Sequence, residues 1–231
     1  MFRIGILGAA DIAFNKFIPA LMKVEGVECA GVASNSPDKL KRFVEKYNVH
    51  VYSSYNEVIG DDSVDCVYIP LPPAFHYEWA KKALLAGKHV FLEKPSTTSA
   101  DDTKELVGIA GEKGLVVQEN YMFQFHAQLK EIENLIASGE LGKLRLVRTS
   151  FGFPRRAEGD FRYVKELGGG TMMDNGGYTI KLIDMLLGES MRLVSSQLDY
   201  DEKTGIDIFG TAEFVNDDGV IAQAAFGMVR L

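Results

Sequence analysis

Short apolar runs alternate with segments of helical spacing through the first half of the chain. The apolar runs lie at residues 2–7, 28–33, 65–71, 90–92 and 115–118. Between them, hydrophobic residues recur at the three- and four-residue intervals of amphipathic helices, and the first such helix contains Pro19, which should bend or shorten it. This βαβ alternation predicts an α/β domain on a parallel sheet, a Rossmann-type doubly wound fold.

The pattern changes after residues 120–122. A helix over residues 129–136 would end at Gly139, and strand-like runs follow at residues 144–153, 193–200, 206–215 and 220–229. Asp218-Gly219, between the last two runs, indicates a hairpin. We therefore expect a dinucleotide-binding domain over residues 1–122 and an α+β domain over residues 123–231. The second domain would have a mostly antiparallel sheet whose outer face forms a homo-oligomer.

Composition narrows the class of protein. With 231 residues, 46% hydrophobic and 25% charged, the chain can bury a sizeable core. Its formal net charge of −7 argues against nucleic-acid binding. No apolar run approaches the roughly 20 residues that span a bilayer, and Met1 leads directly into a strand-like run, so we expect a cytoplasmic protein without a membrane partner. Cys29 and Cys66 lie in apolar runs without C-x-x-C spacing, which favours buried free thiols over a disulfide or a metal site.

The first strand ends in a turn of small residues. Residues 8, 10 and 13 are Gly, Ala and Ala, which fill the three places of the G-x-G-x-x-G/A dinucleotide fingerprint. One small residue lets the chain turn, one lets the backbone approach a pyrophosphate, and one lets the helix pack on the strand. The predicted cofactor residues here are Gly8, Ala9, Ala10, Asp11 and Ile12. The alternative is a plain βα turn.

The end of the second strand bears on the choice of cofactor. NAD enzymes usually place an acidic residue there for the ribose hydroxyls, but this chain has Ser34 and Asn35, followed by Lys39 and Arg42. These residues favour NADP, with NAD as the alternative. Lys39 and Arg42 would equally suit the solvated face of a helix that begins at Ser36-Pro37.

Two further residues lie near the predicted edge of the parallel sheet. Lys94 follows the strand-like run at residues 90–92, so its ammonium group should reach the carboxyl edge, where open α/β folds bind ligands. His76 lies near a helix start, where it would either approach the cofactor or substrate or simply cap and pack the helix.

A third group of candidate residues follows Gly168-Gly169-Gly170. Asp174 and Tyr178, four residues apart, should share one helix face, while Met173, Ile180, Ile183 and Leu187 mark a buried stripe. The glycines would let a backbone approach closely. Asp174 would accept hydrogen bonds from a polyol. Tyr178 would exchange a proton with a carbonyl or hydroxyl if a cation lowered its pKa from about 10. The alternative is a surface carboxylate and an amphipathic tyrosine.

These motifs together resemble the family of glucose-fructose oxidoreductase, inositol 2-dehydrogenase and rhizopine-catabolism proteins. The resemblance covers the whole chain and rests on the turn at residues 8–13, the segments at residues 68–76 and 86–95, and the glycine run with Asp174 and Tyr178. It implies an NAD(P)-dependent oxidoreductase in which Lys94 lies beside the nicotinamide and Pro95 is cis. It also implies that Pro72, His76, Glu93 and Asn120 belong to the cofactor site.

Tyrosine at residue 178 resembles the glucose-fructose oxidoreductase and dihydrodiol dehydrogenase branch, whereas many members have histidine there. Gln124 and Ala127 depart from that branch, in which arginine and proline are common at these positions. The second domain of the family normally continues beyond the equivalent of residue 231, so the resemblance implies a fragment or a shortened homologue.

The resulting hypothesis is hydride transfer between nicotinamide and a hydroxyl or carbonyl carbon of a sugar, polyol or cyclic diol. Lys94 would polarise the oxygen, Tyr178 would exchange the proton and Asp174 would orient hydroxyl groups. One rival is a non-catalytic NAD(P)-binding sensor. Another is a protein that uses transient oxidation to drive a non-redox reaction such as glycoside cleavage.

Overall fold

The computed structural model describes residues 1–188 and 190–228. The chain divides into two compact units, the first over Met1–Asn120 and the second beginning at Tyr121. The sequence predicts a boundary after residue 122, and the assignment of the two units to cofactor and substrate stays a prediction.

The first unit is built on a five-stranded parallel sheet. Its strands are β1 (Phe2–Leu7), β2 (Val27–Ala33), β3 (Cys66–Ile69), β4 (His89–Leu92) and β5 (Val117–Glu119), in the order β2-β1-β3-β4-β5. Every neighbouring pair is parallel. The predicted Rossmann-type sheet is confirmed, and its order reverses between β1 and β3, because β2 lies on one side of β1 and β3 on the other.

Helices cover both faces of this sheet. They are α1 (Ile18–Leu21), α2 (Pro37–Tyr47), α3 (Tyr55–Gly60), α4 (His76–Leu85) and α5 (Ala100–Lys113). Consecutive residues Ile6 and Leu7 belong to two different buried clusters, as side chains that alternate across a strand must. The Ile6 cluster packs against α1 and α2, and the Leu7 cluster packs against α3, α4 and α5.

Local sequence signals set the ends of several helices. Ser99 caps α5 by accepting a hydrogen bond from the Asp102 N–H at 3.4 Å, and Gly114 ends α5 at φ +64°. Pro19 lies in the first turn of the four-residue α1, which follows a π-helical turn at Ala13–Phe17. The helical segment continues past Pro19 to Leu21, so the bend or shortening expected there stays a prediction.

The second unit has a four-stranded sheet in the order β6-β9-β8-β7. Its strands are β6 (Leu146–Gly152), β7 (Arg192–Tyr200), β8 (Asp207–Val215) and β9 (Ile221–Gly227). β6 runs parallel to β9, and the other two pairs are antiparallel. The mostly antiparallel sheet and the hairpin at Asp218-Gly219 are confirmed. The end of the last predicted strand, Val229, lies outside the described residues.

The described part of this unit also contains the α-helices α6 (Ala127–Ser138) and α7 (Gly177–Leu187). A π-helical turn at Met172–Gly176 leads into α7, and Ile183 packs on Ala222 and Ala224 of β9. The predicted buried stripe is only partly right, because Ile183 is buried while Met173, Ile180 and Leu187 are partly exposed. Within the described ranges, no helix is long and apolar enough to cross a membrane.

Candidate active site

The turn after β1 requires its glycine. Gly8 has φ +124°, and its N–H donates to the Ala33 carbonyl at 2.9 Å. A Cβ atom at this position would lie 2.9 Å from Cδ2 of Leu71. Ala13, the last fingerprint position, is buried and packs the helix against the sheet, and Ala9 is buried within the turn, whereas Ala10 is partly exposed. The geometry matches the tight turn expected of a dinucleotide site.

Arg42 ties this turn to α2. Its Nη1 atom pairs with Oδ1 of the exposed Asp11 at 2.6 Å, its Nη2 atom donates to the Ala9 carbonyl at 3.2 Å, and its guanidinium lies 4.6 Å from the Phe14 ring centroid. Arg42 therefore holds the turn from the side of α2. The sequence offered either a phosphate ligand or a solvated helix face for this residue.

The predicted cofactor residues after β2 lie at the same edge of the sheet as the Gly8 turn, because β1 and β2 are parallel. The Ser34 hydroxyl accepts a hydrogen bond from the Ser36 N–H at 3.0 Å, while Asn35 and Lys39 are exposed. The edge therefore presents hydroxyl, amide and ammonium groups without a carboxylate at the end of β2.

His76 connects the loops that follow β3 and β4. Its ring is fully buried, with Nε2 2.7 Å from the Leu71 carbonyl and Nδ1 2.8 Å from the Pro95 carbonyl. Burial lowers the pKa of His76, against the opposing effect of the two carbonyls and the Glu93 carboxylate. The ring thus links the Pro72 loop to the loop that begins at Lys94.

Glu93 lies at the centre of a cluster of hydrogen-bonded polar side chains. It accepts hydrogen bonds from the Tyr68 hydroxyl at 2.5 Å and the Asn120 amide at 2.7 Å. Burial and the Glu93 carboxylate raise the pKa of Tyr68, so its hydroxyl remains a donor. Lys94 follows directly and is partly buried, and the Lys94–Pro95 peptide is cis, as predicted. Our sequence reasoning did not assign Tyr68 to the site, although a phenol inside an apolar strand already calls for a polar partner.

The second unit carries Asp174 and Tyr178. Asp174 is buried in the π-helical turn, and its Oδ2 atom pairs with Nε of Arg162 at 2.6 Å. The Arg162 Nη1 atom also pairs with Oδ1 of Asp160 at 3.1 Å. Sequence reasoning missed Arg162, because no local pattern connects residues 162 and 174.

Aromatic rings surround Tyr178 in the first turn of α7. The ring centroids of Phe151, Tyr121 and Phe123 lie 4.9, 5.1 and 5.7 Å from that of Tyr178. A Cβ atom on Gly177 would overlap the Tyr121 hydroxyl, so this glycine lets Tyr121 approach the helix. The phenol is therefore held in an aromatic setting.

The glycine run fits tightly against its own unit. A Cβ atom on Gly169 would lie 2.5 Å from the Arg162 carbonyl oxygen, and one on Gly170, at φ +117°, would overlap Oδ1 of Asp207. The other oxygen of Asp207 accepts the Met172 N–H at 2.6 Å. The close approach expected of these glycines is therefore made to Arg162 and Asp207.

Comparison with known families identifies both parts of the chain. Residues 2–121 match the Gfo/Idh/MocA oxidoreductase family with its NAD-binding Rossmann fold. The chain belongs to the Gfo/Idh/MocA oxidoreductase family. Residues 129–230 match the C-terminal domain of the same family. The family predicted from the sequence motifs is confirmed, and with it the NAD(P)-dependent oxidoreductase class.

Two relatives of this Gfo/Idh/MocA oxidoreductase are named for reactions of sugars. It is 37% identical over 226 residues to dTDP-3,4-didehydro-2,6-dideoxy-alpha-D-glucose 3-reductase of Actinomadura kijaniata, covering 98% of this chain and 68% of the relative. It is 34% identical over 222 residues to D-xylose 1-dehydrogenase (NADP(+)) 2 of Haloferax volcanii, covering 95% and 67%. The chain thus spans about two thirds of the length of these relatives.

A solved structure shares the fold. KijD10, a 3-ketoreductase from Actinomadura kijaniata in complex with NADP and TDP-benzene, superposes with a TM-score of 0.96 at 36% identity. The match covers 99% of this chain and 70% of KijD10. Both the Rossmann sheet and the second sheet are therefore those of the family.

Proposed function

We propose that this protein is an NADP-dependent oxidoreductase that interconverts a hydroxyl and a carbonyl group on a sugar. The observation that carries the proposal is the carboxyl edge of the parallel sheet, where the Gly8 turn and Lys94 follow strands of one sheet whose order reverses between β1 and β3. Ligands of open α/β folds bind at such a reversal.

The residues at this edge fit a dinucleotide. The Gly8 turn lacks a side chain where a pyrophosphate would approach, and a Cβ atom there would meet Leu71. Ser34, Asn35 and Lys39 would meet the adenosine ribose. The exposed ammonium of Lys39 suits a 2′-phosphate, and the end of β2 has no acidic residue for the ribose hydroxyls of NAD. Both features support NADP over NAD. When bound, the nicotinamide supplies or accepts the hydride.

The protein supplies orientation and a proton. Lys94 would hold the reacting oxygen of the sugar through its ammonium group, and Tyr178 would give or take the proton. Asp174 would accept hydrogen bonds from neighbouring hydroxyls. The convergence of Lys94 and Tyr178 on one carbon is part of this proposal. We assign Glu93, Asn120 and His76 to holding the loops around Lys94, because each is bonded to protein groups.

The substrate class follows from the relatives and from the surroundings of Tyr178. One relative is named for reducing a keto group on a nucleotide-linked sugar, and another for oxidising xylose. The aromatic rings around Tyr178 would offer an apolar surface to the carbon face of a sugar ring.

The homo-oligomer also remains a proposal. The outer face of the second sheet carries a polar network in which Arg148 donates to Gln223 at 2.8 Å and Gln223 donates to Glu213 at 2.7 Å. These side chains extend across three strands and would meet their equivalents in a second copy.

The test is turnover by purified protein and by a Lys94→Met variant. The protein would be given NADPH with a dTDP-linked keto sugar, or NADP⁺ with D-xylose, D-glucose or a cyclic diol. We expect turnover of at least one sugar, loss of turnover in Lys94→Met, and NADPH binding within about twofold of the wild type. Lys104→Met, which removes an exposed lysine of α5, is the control.

Normal turnover in Lys94→Met would overturn the catalytic assignment. Binding of NADPH without turnover of any compound in the panel would instead favour a cofactor-binding sensor.

A further inference from the structure

The side chain of Arg162 pairs with the segment that carries Asp174. Its guanidinium is largely buried and holds two carboxylates, with Nε on Asp174 at 2.6 Å and Nη1 on Asp160 at 3.1 Å. Arg162 follows Asp160 in a short 3₁₀ turn that Asp160 caps by accepting the Arg162 N–H at 3.0 Å. One acidic partner therefore fixes the backbone of Arg162, and the guanidinium reaches the other.

The backbone of Arg162 contacts the same segment. Its carbonyl accepts the Gly170 N–H at 3.0 Å, and the Asp174 N–H in turn donates to the Gly170 carbonyl at 3.1 Å. A side chain on Gly169 would collide with the Arg162 carbonyl. Asp174 is thus tied to Arg162 both through its carboxylate and through the backbone that precedes it.

The charge on Arg162 favours the ionised form of Asp174. Although burial acts in the opposite direction, the carboxylates of Asp174 and Asp160 raise the pKa of Arg162. The interaction is reciprocal, since what favours the cation beside a carboxylate also favours that carboxylate as an anion. A buried carboxyl that lost this partner would take up a proton more readily and rotate more freely.

We infer that Arg162 is a positioning residue for the sugar-binding step, acting through Asp174 by pairing with its carboxylate and holding it in one orientation. This inference rests on the proposed function, in which Asp174 accepts hydrogen bonds from substrate hydroxyls. It assigns to Arg162 an effect on sugar binding and on the pH dependence of that binding, and none on the cofactor.

The experiment compares Arg162→Met, Arg162→Lys and Asp174→Asn, alone and in combination, in the full chain. Arg155→Met is the matched control, because Arg155 also pairs with an aspartate, Asp201, at 3.3 Å, but is more than half exposed. The kinetic assay uses the sugar with the highest turnover in the panel above and measures kcat, sugar KM and NADPH KM between pH 5.5 and 9.

We expect Arg162→Met to raise the sugar KM at least tenfold while the NADPH KM stays within twofold. The pH at which kcat/KM for the sugar falls on the acid side should move upward, because Asp174 protonates more readily. Arg162→Lys should recover part of the loss, since lysine keeps the positive charge but lacks the planar guanidinium whose separate nitrogen atoms pair with two carboxylates. In the Asp174→Asn background, Arg162→Met should cost less than twofold more.

A second readout does not depend on turnover. With ¹³C-carboxyl-labelled aspartate, the resonance that disappears in Asp174→Asn should titrate at a higher pH in Arg162→Lys or Arg162→Met than in the wild type or in Arg155→Met. If Arg162→Met does not fold, Arg162→Lys alone carries both measurements.

The outcomes separate the two claims. If Asp174→Asn leaves kcat/KM unchanged, the proposed role of Asp174 fails. If Asp174→Asn is impaired but the Arg162 variants match Arg155→Met in sugar KM, pH profile and carboxyl titration, only the role of Arg162 is overturned. An additive loss in the double variant would also overturn it.

Discussion

Replacing Gly170 with alanine should disrupt the start of the helix that carries Asp174 and Tyr178. Gly170 has φ +117°, which alanine rarely adopts, and the added Cβ atom would overlap Oδ1 of Asp207. To relieve the overlap, the Asp207 carboxylate must move. Its other oxygen accepts the Met172 N–H at 2.6 Å, so the movement would break the bond that holds the first turn of the helix.

The expected loss has two parts. A non-glycine residue in this backbone region costs about 1–3 kcal/mol. Loss of a hydrogen bond from an N–H group to a charged carboxylate costs about 1.5–3 kcal/mol. The free energy of unfolding of the second unit should therefore fall by about 2.5–6 kcal/mol, a large share of the roughly 5–15 kcal/mol that stabilises a typical domain.

Hydrogen exchange measured by mass spectrometry locates the effect, because a two-unit chain does not unfold in one step. Peptides that cover residues 171–187 should exchange faster in Gly170→Ala, while peptides from β3 and β4 should not change. Gly205→Ala is the control, since Gly205 also has a positive φ, +68°, but a Cβ atom there meets nothing within 4 Å. Equal destabilisation by the two variants in urea would refute the proposed clash with Asp207.

Two further predictions concern the first unit, and both use fluorescence of Trp79, the single tryptophan, to follow unfolding. His76→Asn should lower its free energy of unfolding by about 1–3 kcal/mol and raise the NADPH KM, because the buried ring that donates to one of the Leu71 and Pro95 carbonyls and packs against the other is lost; wild-type stability would contradict this. A hydrogen bond from Tyr52 lowers the pKa of Asp61 to about 2, below its ordinary value of 3.8. A carboxyl whose pKa is lowered by folding stabilises the folded state above its unfolded-state pKa, and this stabilisation is lost as the pH falls through its folded-state pKa. Tyr52→Phe lacks the hydrogen bond and should therefore lose less stability than the wild type between pH 4.5 and 2. Parallel curves for the two proteins would exclude the effect.

Much of the fold could be predicted because its signals are local. Ser99 and Gly114 mark the two ends of α5 in the sequence, and the structure uses both as caps. The hairpin at Asp218-Gly219 and the alternation of strands and helices in the first unit are equally local. Each of these features depends on residues that are neighbours along the chain.

The buried stripe of α7 shows where such reasoning fails. Spacing at Met173, Ile180, Ile183 and Leu187 assumes one regular α-helix, but residues 172–176 form a π-helical turn with more residues per turn. Met173 therefore does not continue the face that Ile183 buries against β9. The π-helical turn is held partly by Asp207 from β8, a contact that spacing along the chain does not encode.

The candidate site likewise contains residues that local sequence patterns indicate and residues that only contacts distant along the chain bring to it. Lys94, Asp174 and Tyr178 stand at the ends or beginnings of regular elements, where a sequence pattern can point to them. The groups that hold the site come from elsewhere in the chain. Tyr68 reaches Glu93 across 25 residues, and Arg162 reaches Asp174 across 12.

This division has a kinetic consequence. Groups that carry out the chemistry should affect turnover when they are replaced, whereas buried groups that orient them should affect binding, pH dependence and stability. Glu93, His76 and Arg162 each have polar atoms committed to protein partners, which leaves orientation as their physical contribution. Tyr68 and Arg162, the two residues that the sequence patterns missed, both bond to a carboxylate of the candidate site and so belong with these orienting groups.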